Sequence, residues 1–122
     1  MMASEKSFEL KIRTFLSFQG AWHIKYWGGG VCTVAGVPDI LACIHGKFVG
    51  VEVKAKDGRP SMLQIKTLER IRQSSGAAVL LYPDEEDFFK EWVKSGCPPD
   101  SAWYRKNIDM QKKWEERLKH DD

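Results

Sequence analysis

Residues 39–55 read DILACIHGKFVGVEVKA, and the pattern of this stretch decides the fold. Residues 39–44 and 47–55 are β-type runs joined by His45-Gly46, a pair suited to a two-residue hairpin turn. Strand side chains alternate faces, so Phe48, Gly50, Glu52 and Lys54 share one face of the second run, opposite the apolar Val49, Val51, Val53 and Ala55. In the first run Ile40, Ala42 and Ile44 are the apolar set, leaving Asp39, Leu41 and Cys43 on the other side. A two-residue turn pairs Ile44 with Lys47 and therefore sets Asp39 across from Glu52. Directly opposed residues have Cβ atoms about 4.5–5.5 Å apart, and like charges there are destabilising. Such a pair is tolerated when a positive charge sits between the carboxylates. Two acidic oxygen ligands at that spacing form the core of a Mg²⁺ or Mn²⁺ site, which water and a substrate phosphate complete. Lys54 would add an ammonium on the same face. The plain alternative is a solvent-facing strand decorated by Glu52 and Lys54, with Asp39 closing a Pro-Asp turn.

Working outward, Ser4 is an N-cap candidate for a first helix, in which Phe8, Ile12, Phe15 and Leu16 recur at helical spacing up to Gly20. Trp22–Trp27 is aromatic and β-prone, and Gly28 to Gly36 reads as a mobile loop. Asp57-Gly58 breaks the second hairpin strand. Pro60 or Ser61 then opens a helix that reaches Ser75 and stops at Gly76. Ala77–Tyr82 reads as a short buried strand, and Asp84 as the cap of a helix running to about Ser95. Cys97-Pro98-Pro99 reads as a linker, and a charged helix spans about Ile108 to Lys119. The order α-β-β-β-α-β followed by helices predicts one α/β domain over residues 1–122, a mixed sheet flanked by helices.

The composition, 43% apolar and 30% charged in 122 residues, is ordinary for one soluble globular domain. Three cysteines without a Cys-x-x-Cys pair argue against disulfides or zinc and for a reducing, cytoplasmic compartment. No apolar run suggests a membrane partner, and the charged N-terminal stretch does not read as a signal peptide. The net charge of +2 divides unevenly: residues 10–72 hold ten basic and four acidic residues, whereas residues 84–122 hold eight and eleven. The first part suits a polyanion and the tail does not.

Two helices offer further site residues. Glu9 lies at helical spacing from Ile12 at the edge of the buried stripe, with Glu5 one turn earlier as its competitor. Gln64 falls on the inward side of the helix after Pro60, an odd place for an amide without a partner. Lys11, Arg13, Lys25, Lys56, Arg59 and Lys66 are candidates for phosphate contacts, against the alternative of plain surface residues. Trp22, Tyr26 and Trp27 could stack on splayed bases or belong to the core. Phe88, Phe89, Trp92, Trp103 and Trp114 offer either a dimer surface or a cap on the core.

The string Gly36-Val37-Pro38-Asp39-Ile40, then Val51-Glu52-Val53-Lys54-Ala55, then Arg59-Pro60-Ser61 and Gln64, resembles the virus-type replication-repair nuclease (VRR-NUC) domain of the PD-(D/E)xK superfamily. The likeness covers about residues 5–83, and residues 84–122 form a helical extension without it. The resemblance implies a restriction-endonuclease-like fold and a nuclease dependent on Mg²⁺ or Mn²⁺. Its metal would be held by Asp39, Glu52 and the Val53 carbonyl, with Glu9 acting directly or through water. Lys54 and Gln64 would complete the catalytic set. It also implies a phage or bacterial protein that acts as a homodimer on branched DNA, in the manner of a Holliday-junction resolvase in replication, recombination or repair. The competing classes are a non-catalytic DNA-binding or scaffolding domain and a sequence-specific restriction-type enzyme. Opposed carboxylates beside DNA phosphates serve no purpose in the first, and 122 residues leave little chain for the recognition element of the second.

Overall fold

Among the described residues four strands form one mixed sheet in the order β1-β2-β3-β4, with helices on both faces. The computed structural model describes residues 4–28 and 34–121. In chain order the elements are α1 Glu5–Phe18, β1 Trp22–Lys25, β2 Ile40–Ile44, β3 Lys47–Val53, α2 Met62–Gln73, β4 Ala77–Leu81, α3 Glu86–Lys94 and α4 Ala102–His120. The segment read as a mobile loop includes residues 29–33, which lie outside the described residues.

The hairpin keeps the expected register, from Ile44↔Lys47 to Ile40↔Val51. His45 and Gly46 both take positive φ, 51° and 79°, as a type I′ turn requires. β1 pairs antiparallel with β2, and β4 runs parallel to β3 after the α2 crossover. Alternation sends Ile40, Ala42, Ile44, Val49, Val51 and Val53 to one face, where they pack with Phe8, Ile12 and Leu16 of α1 and Phe89 and Val93 of α3. On the other face Ile65 and Leu68 of α2 meet Ala78 and Leu80, with Trp114 and Leu118 of α4 against them. A slip of one residue would turn the whole apolar set of the hairpin to the wrong side, and each large side chain exposed would cost about 1.5–3 kcal/mol.

α1 and α2 start where the sequence puts them, with the Ser4 and Ser61 hydroxyls accepting from the backbone N of Ser7 and Gln64. α1, α2 and α3 all end in the same paired-bond motif. In α2 the N–H of Ser75 donates to the Arg72 carbonyl and that of Gly76 to the Ile71 carbonyl. The left-handed residue is Gly20 after α1 and Gly96 after α3, but after α2 it is Ser75, at φ 72°, not the expected Gly76. Gly76 answers to crowding instead, because a Cβ there would lie 2.9 Å from Ile71 Cγ2 and 3.3 Å from Phe48 Cδ1.

The C-terminal third departs most from the expectations. Asp84 caps nothing: it sits in a 3-10 turn, Pro83–Glu85, and α3 starts at Glu86 without a side-chain cap. Cys97-Pro98-Pro99 is no free linker. Cys97 is fully buried and its carbonyl accepts from Lys47 Nζ at 2.9 Å, while Trp92 Nε1 donates to the Pro98 carbonyl at 3.0 Å. α4 begins at Ala102 under a Ser101 cap, six residues before the expected Ile108. Its first turns carry Tyr104, Asn107 and Gln111, all buried, along the outer edge of β4. The Ala78 and Leu80 amides donate to Tyr104 Oη and Asn107 Oδ1, and the Leu80 and Ala78 carbonyls accept from Asn107 Nδ2 and Gln111 Nε2. The backbone groups that a fifth strand would satisfy are thus met by side chains of a helix. The aromatic residues offered as a dimer surface are mostly committed elsewhere. Phe89 and Trp92 are core, Trp103 and Trp114 pack partly buried against it, and of the five Phe88 alone is exposed. Among the described residues no helix is long and apolar enough to cross a membrane.

Candidate metal and phosphate site

Among the described residues of the strands, Glu52 is the buried acid. It is 2% exposed on β3, on the face that α2 covers, so the solvent-facing alternative for this strand does not hold. Asp39 stands one residue before β2, where the ladder has just ended at Ile40↔Val51. Its carboxylate replaces the next rung: Val53, the last residue of β3, donates its amide to Asp39 Oδ2 at 2.9 Å. The Asp39 carbonyl accepts from the Tyr26 amide at 2.8 Å, which ties the same residue to the strand on its other side.

The remaining contacts of Glu52 fall on one oxygen. Oε2 accepts from Gln64 Nε2 at 3.1 Å and lies 3.4 Å from Lys54 Nζ, and Lys54 is itself largely enclosed. Oε1 is buried with no hydrogen-bond partner. Burial pushes the Glu52 carboxyl up to about 8, and the Asp39 charge pushes the same way. The Lys54 ammonium opposes them. Without a cation, Glu52 therefore holds its proton at neutral pH.

Gln64 is aimed by the start of its helix. Ser61 Oγ accepts from the Gln64 amide at 3.1 Å, and the Ser61 amide donates to Gln64 Oε1 at 2.9 Å. This capping box holds the side-chain oxygen and leaves Nε2 to donate to Glu52. The inward-facing amide thus has its partner. The sequence signal for the arrangement was the spacing Ser61-x-x-Gln64, which sequence reasoning had not used.

Glu9 is buried on the α1 face of the sheet, its Oε2 2.9 Å from Lys25 Nζ and 3.9 Å from Arg13. None of its hydrogen bonds or ion pairs reaches Asp39, Glu52 or Lys54. Glu5, an exposed residue, has its pKa raised by partial burial and then by the charge of Asp39, with Lys54 pulling it down. Glu5 is thus electrostatically coupled to both site residues.

The phosphate-contact candidates divide. Lys11 pairs with Glu86, Arg13 and Lys25 with Glu9, Lys66 with Glu115 and Glu69, and Arg59 with Asp121. Lys56 enters no ion pair among the described residues and is exposed. Trp22 and Trp27 are 62% and 71% exposed, Trp27 with Lys25 Nζ 4.4 Å from its ring centre. Tyr26 instead holds the Val34 backbone through its hydroxyl.

The donor set fits a small divalent cation. Mg²⁺ is commonly bound by one or two carboxylates plus water and substrate phosphate. Asp39 and Glu52 supply two, and the unpartnered Glu52 Oε1 is the buried acceptor that a cation would satisfy. Among the described residues no group of three or more His, Cys, Asp or Glu side chains is placed to hold a metal, so the site rests on these two carboxylates. Comparison of the chain with known protein families, curated proteins and solved structures finds no match.

Proposed function

We propose that this chain is a Mg²⁺- or Mn²⁺-dependent DNA nuclease of the VRR-NUC type, with the PD-(D/E)xK fold and branched DNA as its substrate. The observation that carries the reading is Glu52, a carboxylate sealed in the sheet with one oxygen held by Gln64 and Lys54 and the other facing no donor. A buried acid placed against a second acid costs stability, a cost that a bound cation would offset. A scaffold without catalysis has no use for the pair.

A phosphodiester resists hydrolysis because its charge repels an anionic nucleophile. A cation held by Asp39, Glu52 and the Val53 carbonyl, with Glu9 or Glu5 acting directly or through water, would lower the pKa of a bound water and neutralise the phosphate. Lys54 would place its ammonium where charge builds on the phosphoryl oxygens, and its bond to Glu52 Oε2 keeps it there in the resting state. Gln64 holds Oε2 of Glu52 and leaves Oε1 without a donor, the acceptor a cation would take. Asp39 is oriented by the Val53 amide.

One copy has one such site and cuts one strand. Matched cuts across a junction would need a twofold dimer, the commonest homo-oligomer. The test is a cleavage assay on four-way, flap and linear DNA with Mg²⁺, combined with light scattering. Cleavage that EDTA stops and Lys54→Ala abolishes is the expected result. Undiminished cleavage by folded Lys54→Ala would remove the assignment, and a strict monomer that cuts all three substrates equally would remove the junction preference.

A further inference from the structure

The turn that follows Lys54 leads from the carboxylate site to a second cluster. The Gly58 amide donates to the Ala55 carbonyl at 2.9 Å, closing the turn, and Tyr82 Oη donates to the Gly58 carbonyl at 2.8 Å, pinning it to the end of β4. A Cβ on Gly58 would lie 3.2 Å from Lys54 Cβ and 3.3 Å from Lys54 Cδ, so the turn rests directly on the stem of the site lysine. Beyond it lies a groove of about 330 Å³ lined by Lys56, Asp57, Arg59, Tyr82, Trp114 and Arg117.

The cations here come from two distant parts of the chain. The Arg59 guanidinium carbon is 5.5 Å from the Trp114 ring centre and that of Arg117 is 4.8 Å from it, so one indole carries two like charges. Lys56 and Arg117 enter no ion pair among the described residues. Arg59 is paired with Asp121, just past the end of α4, and Asp57 is the acid of the lining. The excess of acidic residues in the C-terminal tail therefore hides a local concentration of positive charge.

From this we infer that Lys56, Arg59 and Arg117 form a phosphodiester subsite for the strand that continues past the site carboxylates, and that the Asp121 carboxylate occupies Arg59 until a phosphate replaces it. The inference rests on the nuclease reading and extends it to the course of the substrate backbone. Two arginines set over one indole, with the exposed Lys56 beside them, suit contacts to successive phosphates of one strand, which fix the course of the backbone and carry no sequence readout. Trp114 is half-buried between α2 and β4 and braces the arginines.

The experiment measures binding of a fluorescein-labelled oligothymidylate of about 20 nucleotides by anisotropy in Ca²⁺, across a fourfold range of salt. Each lost phosphate contact to a single strand lowers the salt slope by about 0.7. Arg117→Ala and Lys56→Ala should each show that loss. Asp121→Asn should bind more tightly than wild type at low salt, since it frees Arg59. Arg105→Ala removes the same charge from an exposed position of α4 about 18 Å from Arg117 along the helix and serves as the control for net charge. If Arg117→Ala and Arg105→Ala have equal slopes, or Asp121→Asn binds no better, the subsite is refuted while wild-type cleavage leaves the nuclease reading standing. Loss of slope in Arg117→Ala without cleavage by wild type on any DNA supports the subsite and refutes the nuclease. A wild type that neither binds nor cuts refutes both.

Discussion

Glu52→Gln should stabilise the metal-free protein, and the gain should grow with pH. In the folded chain the Glu52 carboxyl is pushed up to about 8 from an ordinary 4.5 by burial and by Asp39. Below the ordinary value both folded and unfolded chains hold the proton, and the residue carries no penalty. As pH rises past it the unfolded chain releases its proton while the folded chain keeps it, so stability falls until the folded carboxyl also ionises near 8. That interval corresponds to about 5 kcal/mol at most, of which about 3 kcal/mol falls between about pH 5.5 and pH 7.5. A total stability of about 5–15 kcal/mol makes this a large fraction. Glutamine keeps the shape and the acceptor for Gln64 and Lys54 but has no proton to lose. Asp39 and Lys54, the charged groups that face residue 52, are the same in both proteins. Urea unfolding in EDTA, followed by tryptophan fluorescence at the two pH values, gives the difference directly. Millimolar Mn²⁺ should then restore the wild type at the higher pH and leave Glu52→Gln unmoved. A difference between the proteins that is constant with pH within about 0.5 kcal/mol would refute the account of Glu52, since such a shift is well below the predicted change.

Three further expectations follow from the geometry. Mg²⁺ and Mn²⁺ should support cleavage and Ca²⁺ binding alone, because Ca²⁺ prefers six to eight oxygens at longer range; full activity after exhaustive chelation in a DNA-cleavage assay would contradict the site. Glu5→Gln should lower the rate of cleavage more than Glu9→Gln, whereas Glu9→Gln should lower the melting temperature more, because it removes the charge that the part-buried Lys25 ammonium faces. Rates and melting curves of both variants separate the two carboxylates. Ser75→Gly should raise stability by about 1 kcal/mol, since the left-handed conformation at that exposed position penalises a side chain and glycine fills the same place after α1 and α3; an unchanged urea midpoint would argue against it.

The hairpin was legible because its two periodicities agree: alternation assigns the faces, and a two-residue turn leaves one register compatible with both. That Glu52 is enclosed was not legible, since a strand residue before a lysine looks the same whether or not a helix lies over it. α2 covers that face, and its capping box turns Gln64 toward the acid. The choice between Glu5 and Glu9 turned on one helical turn, and spacing alone gives both a place near the buried stripe. α4 was shortened for a different reason. Asn107 and Gln111 look like solvent-facing amides to any hydrophobic pattern, yet they are buried because their partners are the backbone groups of β4. A helix that binds a strand edge through polar side chains carries no apolar signature at that point.

That contact has a bearing on where the protein can be divided. A boundary drawn after residue 83, where the motif-bearing part stops, would sever α4 and leave the Ala78 and Leu80 backbone groups facing water along an apolar strand. The motif-bearing part is therefore not a portable module. Transplanted or expressed alone, it would offer other copies a ready edge for strand addition. A substitute tail would have to reproduce the spacing of Tyr104, Asn107 and Gln111 against β4. Helical character alone would not be enough, so the tail can vary freely in sequence only on its outward side.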